Sequence, residues 1–392
     1  MNSLWKGLVA LAALCVATPL AAEETIKVGL ITALSGPFAA NGRQMEDGAR
    51  VYMQMHGDHV AGKKIELVVR DDTGVSDVTK RIAQEMVTND KVNFLAGFTL
   101  TPGALATAPV ATQAKVPMIV MLGATSIIPD KSPYIVRSSL SSVQLGIPSG
   151  EWIGKQGKKT LMTLVADYAP GIDYEQLVSR GFESTGGTVI GKLRAPLASP
   201  DFGPIVQKIL DAKPDAVYVF IPPGGMGAAL MKQLQEREIA KTGIMIVAEG
   251  GLLDEEFVDK LGDQAVGYLT TETYSPAHDS DLNRKFVELF RKGSDRRPNL
   301  IAAYAYDGMH LIYEAVRKTN GSTDGEANVK AMMDLAWESP RGPVRVDAAT
   351  KDLIQNVYIR KAVKRADGLI WHEEIDTIPR VRDVTRGTEA AK

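Results

Sequence analysis

From residue 26 onward the chain alternates between short apolar runs and stretches whose apolar residues return every three to four positions. Residues 26–31 are an apolar run that stops at Ser35, Gly36 and Pro37. Residues 45–55 then place Met45, Ala49, Tyr52 and Met53 on one helical face. Residues 64–70 alternate as a strand, 76–89 predict a helix capped by Ser76, and 92–96 predict another strand. A helix over 101–115 and a strand over 116–122 repeat the theme. Strands separated by helices of about 10–15 residues indicate βαβ units and a parallel sheet.

The rhythm then restarts. Strands are expected at 134–137, 160–166, 188–193, 216–221, 244–248 and 266–271. Helices are expected at 142–155, 171–184, 201–212, 225–237 and 254–261. Both halves carry the same element order at similar length, with no residue-level repeat, as a duplicated α/β lobe would after divergence. Beyond Tyr274 come three helices (279–291, 300–319, 328–337) and three short strands (342–346, 354–360, 369–374). Helices without intervening strands cannot make a third sheet, so they return to cover the first lobe while the last strands join the second. The expected lobes are 23–141 with 276–341, and 142–275 with 342–392. The chain crosses between them near 138–143, 274–276 and 339–343.

Ahead of this lies a different pattern. Lys6 precedes an apolar stretch over 7–18, and Pro19, Leu20, Ala21 and Ala22 give way to Glu23 and Glu24. A basic start, a short apolar run and small residues before a charged segment describe a cleavable export signal over 1–22. A membrane span would need about 20 apolar residues. The single cysteine, Cys15, lies inside that signal, so the mature chain has no disulfide, thiolate nucleophile or cysteine metal site. The 45 Lys and Arg balance 47 Asp and Glu, which gives no basic surface for nucleic acid. About 370 mature residues exceed what one core organises, near 250–300, in keeping with two lobes in an exported, monomeric protein.

Open α/β sheets bind ligands beyond the carboxyl ends of their strands. In the first half those ends carry Ser35, Phe38 and Asn41; then Phe98, Thr99, Leu100 and Thr101; then Gly123, Ala124 and Thr125. In the second half they carry Tyr168, then Pro223 and Gly224, then Glu249. Each loop alone is ordinary turn chemistry. Six strand ends with glycine, hydroxyls and aromatics form a candidate ligand cleft.

The ordered set Leu34-Ser35-Gly36-Pro37-Phe38-Ala39-Ala40-Asn41-Gly42, Asp47-Gly48-Ala49-Arg50, Arg70-Asp71-Asp72, Pro117-Met118-Ile119-Val120, Gly123-Ala124-Thr125 and Tyr306-Asp307-Gly308-Met309 resembles the Leu/Ile/Val-binding branch of periplasmic solute-binding proteins over almost the whole mature chain. The resemblance implies two Rossmann-like lobes joined by three crossovers, a ligand held in the cleft, and delivery to an ABC transporter permease. It implies that residues 98–101 and 123–125 hold the ligand's carboxylate through N–H and hydroxyl groups. The chain departs from amino-acid binders at Thr99-Leu100-Thr101, where paired small hydroxyl residues are usual, and at Gly224-Gly225. Glu249 is the candidate partner for an ammonium group, and a solvated loop acid is its other reading. Phe38, Phe98, Tyr168 and Tyr304 are candidates to wall a flat slot. An aromatic monocarboxylate such as a benzoate, phenylpropanoid or aromatic keto acid ranks first as ligand, and a branched-chain or other apolar amino acid second.

Catalysis and receptor sensing are weaker alternatives. The sequence has no strand-linked GxGxxG, no GxSxG elbow and no HExxH, so no cofactor or metal is expected. His56 and His59 have no third ligand. Asp71 and Asp72 fit turn and capping roles.

Overall fold

The computed structural model describes residues 24–198, 201–222 and 225–387; the expected signal segment lies outside them. The first sheet contains β1 (Thr25–Thr32), β2 (His59–Val60), β3 (Lys63–Asp71), β4 (Phe94–Gly97), β5 (Met118–Val120) and β6 (Ile135–Arg137), in the order β2-β3-β1-β4-β5-β6. All pairs are parallel except β2 with β3. The second sheet has β7 (Thr160–Ala166), β8 (Thr188–Ala195), β9 (Ala216–Phe220), β10 (Met245–Glu249) and β11 (Leu269–Glu272), ordered β8-β7-β9-β10-β11. Antiparallel β14 (Leu353–Lys364) extends it, flanked by β15 (Ile370–Val381) and by β12 (Ala336–Ser339) with β13 (Gly342–Val346). Both parallel sets therefore share one winding, with the strand order reversing between β1 and β4 and between β7 and β9. Those reversals are where ligands of such sheets bind.

The helices are α1 (Ala39–His56), α2 (Ser76–Glu85), α3 (Thr101–Ala114), α4 (Ser142–Lys155), α5 (Ala169–Glu183), α6 (Phe202–Ala212), α7 (Gly225–Glu236), α8 (Val258–Leu261), α9 (Asp281–Gly293), α10 (Leu300–Lys318) and α11 (Gly325–Met332). Sequence chemistry sets several of their ends. Ser141 and Gln144 make a reciprocal capping box at α4, and Asn299 accepts from the N–H groups of Ile301 and Ala302 at α10. Ser76 is the first helical residue of α2 rather than its cap, which is Val75. Asp72 carries the expected capping load, accepting from Gly74 N–H (2.9 Å) and the Thr79 hydroxyl (2.8 Å).

Helices α9 and α10 pack on the first lobe. Phe286, Phe290 and the apolar face of α10 share one core with Val28, Leu30, Met45 and Tyr52. Two expectations are corrected. The last predicted helix ends at Met332, and residues 336–339 are a strand. The boundary drawn at residue 341 falls too early, because Val344, Val346 and Leu353 pack in the first lobe's core while Val357 and Ile359 pack with the second lobe. The long strand β14 itself is the third crossing.

Candidate functional site

The first lobe's contribution starts where β5 ends. Met121 N–H donates to the Gly97 carbonyl (2.8 Å), tying the loop to β4. Three consecutive carbonyls are then held from behind. Arg137 Nη1 donates to the carbonyls of Gly123 (3.2 Å) and Thr125 (2.9 Å), and Ser142 N–H donates to that of Ala124 (3.0 Å). In a trans peptide the C=O and the following N–H point in opposite directions. Pinning these carbonyls therefore turns the N–H groups of Ala124, Thr125 and Ser126 the other way. The Thr125 hydroxyl donates to Thr101 Oγ1 (3.1 Å), which leaves the Thr101 hydroxyl its own proton to donate. Thr101 opens α3, and Leu100 caps that helix without a side-chain bond, so its first amides stay open. Loop amides, a hydroxyl and a helix N-terminus lie together here, a cradle whose chemistry is of the kind that can take an anion.

Arg137 is fully buried, bonded through Nε to Asp352 at 2.7 Å. Asp352 also receives Arg386 at 2.5 Å, and Arg386 reaches Asp130 at the same distance. The cradle is thus wired to the start of β14 and to the C-terminal segment.

Several predicted residues do something else. The Phe98 ring is fully buried among Ile31, Leu95, Val120 and Ile128 in the first lobe's core, so it cannot wall a slot. Thr99 is also buried; its hydroxyl bonds the Thr32 hydroxyl (2.8 Å) and accepts from Ala33 N–H (3.1 Å), bracing the strand reversal. Tyr304 is fully buried where the lobes meet, its hydroxyl 2.5 Å from that of Thr273 and the Arg341 guanidinium 4.7 Å above its ring. Ser35 is exposed at the rim. Phe38, 39% exposed, lies beside Leu100 over Gly74. Asn41 is half-buried in the first turn of α1. Pro223 and Gly224 lie outside the described residues.

The second lobe contributes rings and acids. Phe220, the last residue of β9, stacks on Tyr174 (4.4 Å between centroids, 18°) and at 6.2 Å on Tyr168 (28°). Leu122 and Ala124 of the cradle loop pack against the cluster that holds Tyr174, Tyr218 and Tyr304, with Phe220 alongside. Cradle loop and rings therefore border one and the same apolar cluster between the lobes. Beside them Glu249, at the end of β10, accepts from Gly251 N–H (2.9 Å). Burial first, and then neighbouring Glu272, push its carboxyl up to about 8. Glu272 is fully buried at the end of β11; its Oε1 accepts from Thr273 N–H (2.8 Å), and burial raises its pKa too.

A polar seam closes one side of the junction. Gln44 donates to Glu256 (2.7 Å), Asn299 to Asp254 (3.0 Å) and Arg297 to Asp259 (2.8 Å). Among the described residues no group of three or more metal-ligating side chains occurs. His56 instead bonds the Tyr306 hydroxyl at 3.0 Å.

Sequence reading missed Phe220, Arg137 and Glu272. Phe220 closes its strand instead of standing in the loop after it, and Arg137 meets Asp352 across 215 residues. An acid at a strand's last position was the available signal for Glu272.

Comparison with known proteins adds the following. A family described as periplasmic binding protein matches residues 25–368. A Leu/Ile/Val-binding protein homolog of Brucella melitensis is 39% identical over 379 residues, 96% of this chain and 97% of that protein. A solute-binding protein of an ABC transporter from Rhodopseudomonas palustris BisB5, in complex with 3,4-dihydroxybenzoic acid, is 46% identical with a TM-score of 0.85, covering 92% of this chain and 99% of its own. A second R. palustris solute-binding protein, in complex with 4-hydroxybenzoate, is 37% identical with a TM-score of 0.85, covering 92% and 98%.

Proposed function

Since the chain belongs to the periplasmic binding protein family, as a solute-binding protein of an ABC transporter, we propose that its cleft takes an aromatic monocarboxylate. The carboxylate sits on the first lobe's cradle and the ring lies against the second lobe's aromatic stack. The cluster between the lobes that both Ala124 of the 123–125 loop and Phe220 border carries this reading. The R. palustris proteins that hold hydroxylated benzoates support it. The two lobes close about the three crossings, and the closed form presents the acid, chemically unchanged, to a membrane permease. No helix among the described residues is long and apolar enough to cross a membrane. Export to the periplasm through cleavage of residues 1–22, and action as a monomer, complete the proposal.

The test is calorimetric titration and thermal shift with benzoate, 4-hydroxybenzoate and leucine. An aromatic acid at 100 times its Kd should add about 2.7 kcal/mol of stability. Leucine binding with benzoates inert would overturn the proposal in favour of a branched-chain amino acid. That second reading draws on Glu249 as an ammonium partner and on the name of the Brucella relative.

A further inference from the structure

We propose that the acid pair at the ends of β10 and β11 reads the far end of the ligand, selecting aromatic acids that carry a ring hydroxyl opposite the carboxylate. This rests on the aromatic-carboxylate reading above and adds a specificity that the cradle cannot supply.

The two acids bracket one turn. Glu249 is bonded to Gly251 N–H from one side. Glu272 lies against Gly250 from the other, where a Cβ would come within 2.7 Å of its Oε2. That Oε2 is fully buried and has no hydrogen-bond partner, a costly condition for a carboxylate oxygen. Neither acid has a Lys or Arg within ion-pair distance among the described residues. Arg360, the cation that most lowers Glu272, donates through Nε to Thr270 Oγ1 (3.1 Å) and through Nη1 to the Tyr274 carbonyl (2.6 Å), and its Nη2 lies against the same Gly250 as Glu272 Oε2 without bonding it. Tyr168 and Tyr174 of the ring stack lie within electrostatic range of Glu249, which places it beside that stack.

With Glu272 fully buried and Glu249 half-buried beside it, the pair retains a proton near neutral pH. It can then accept a hydrogen bond from a neutral phenol without taking in a cation. A bare ring would leave Glu249 and Glu272 facing apolar carbon. An ammonium group would also suit two acids, but the flat stack of Tyr168, Phe220 and Tyr174 matches a planar ligand rather than a branched aliphatic one.

The experiment compares 4-hydroxybenzoate with 4-fluorobenzoate, which matches it in size but has no proton to donate, using calorimetry on the unaltered protein. We expect 4-hydroxybenzoate to bind at least tenfold tighter, about 1.4 kcal/mol. In Glu249→Gln and in Glu272→Gln that ratio should fall below about threefold, with the melting profile of each unliganded variant checked for folding. A ratio near one in the unaltered protein overturns the inference and leaves the carboxylate reading standing. A full ratio in both variants overturns it as well. If neither benzoate binds, the underlying reading falls with it.

Discussion

The two lobes are built on one plan and present opposite chemistry at their strand ends. In each, the helix after the first strand carries a glycine at which a side chain would collide with that strand's end: Gly42 against the Ala33 carbonyl, and Gly171 against the Ala166 carbonyl. The same close approach serves the same strand reversal twice, so the duplication survives as a packing constraint where residue identity has faded. The walls then diverge. The first lobe presents backbone amides and threonine hydroxyls, held by a fully buried guanidinium. The second presents stacked rings and two acids, Glu272 buried and Glu249 half-buried. One lobe is suited to bind a charge and the other to judge a shape.

The largest effect should come from breaking the first lobe's hidden support. Arg137→Ala leaves Asp352 buried with only Arg386 as partner and frees the Gly123 and Thr125 carbonyls. Losing one partner of a buried pair costs about 3–5 kcal/mol, so denaturant unfolding should show a loss of that size. Replacing both partners, Arg137→Met with Asp352→Leu, should recover much of the stability. It should not recover tight binding of the acid, because the cradle carbonyls remain unheld. Full recovery of both would mean that Arg137 has no part in shaping the cradle.

A smaller effect separates the lobes directly. Thr101→Val removes the cradle hydroxyl whose proton is left free to donate. A hydrogen bond to a charged group contributes about 1.5–3 kcal/mol, so affinity for benzoate should drop tenfold or more while the primary amide, benzamide, is little changed. Phe220→Ala should weaken benzoate and benzamide alike, since the ring contact does not depend on charge. If both variants lower the acid-to-amide ratio equally, the division of labour between the lobes is wrong.

The fold was legible because its signals are local: apolar runs, helical spacing and turn residues placed most elements and the restart of the α/β rhythm. The site was legible only at its edges. Thr101, Gly123, Ala124, Thr125, Tyr168 and Glu249 stand at the expected strand ends. Phe98 and Thr99 sit in the same kind of loop, but the backbone at Phe98 takes a left-handed φ of 71° and turns the ring into the core. The Thr99 hydroxyl bonds Thr32, 67 residues away, and no local pattern announces that. Burial of Arg137 follows from a partner just ahead of β14, far along the chain. Spacing shows which residues reach the mouth of a sheet, and long-range packing decides which of them stay free.

The smallest predicted effect concerns the second lobe's acids and is read in the unliganded protein. Burial and Glu272 raise Glu249 from 4.5 to about 8, and burial with Glu255 raises Asp254 from 3.8 to about 7. A carboxyl raised in the folded state favours folding while protonated. Its contribution is complete below the unfolded value and is lost as pH rises through the folded one. His310 works in the opposite sense: burial lowers it from 6.5 to about 4, so its penalty falls below about pH 6.5. Between pH 6.5 and 8.5 the acids therefore act without that opposition, and the melting temperature should decline across the window. In Glu249→Gln the decline should be shallower, and the difference between the two curves cancels every other titrating group that the substitution leaves alone. The facing charges, Glu272, Arg360 and Asp254, are common to both proteins. Superimposable curves would show that Glu249 is ionised throughout, and the second lobe would then offer its ligand a plain negative charge, which is the condition an ammonium group requires.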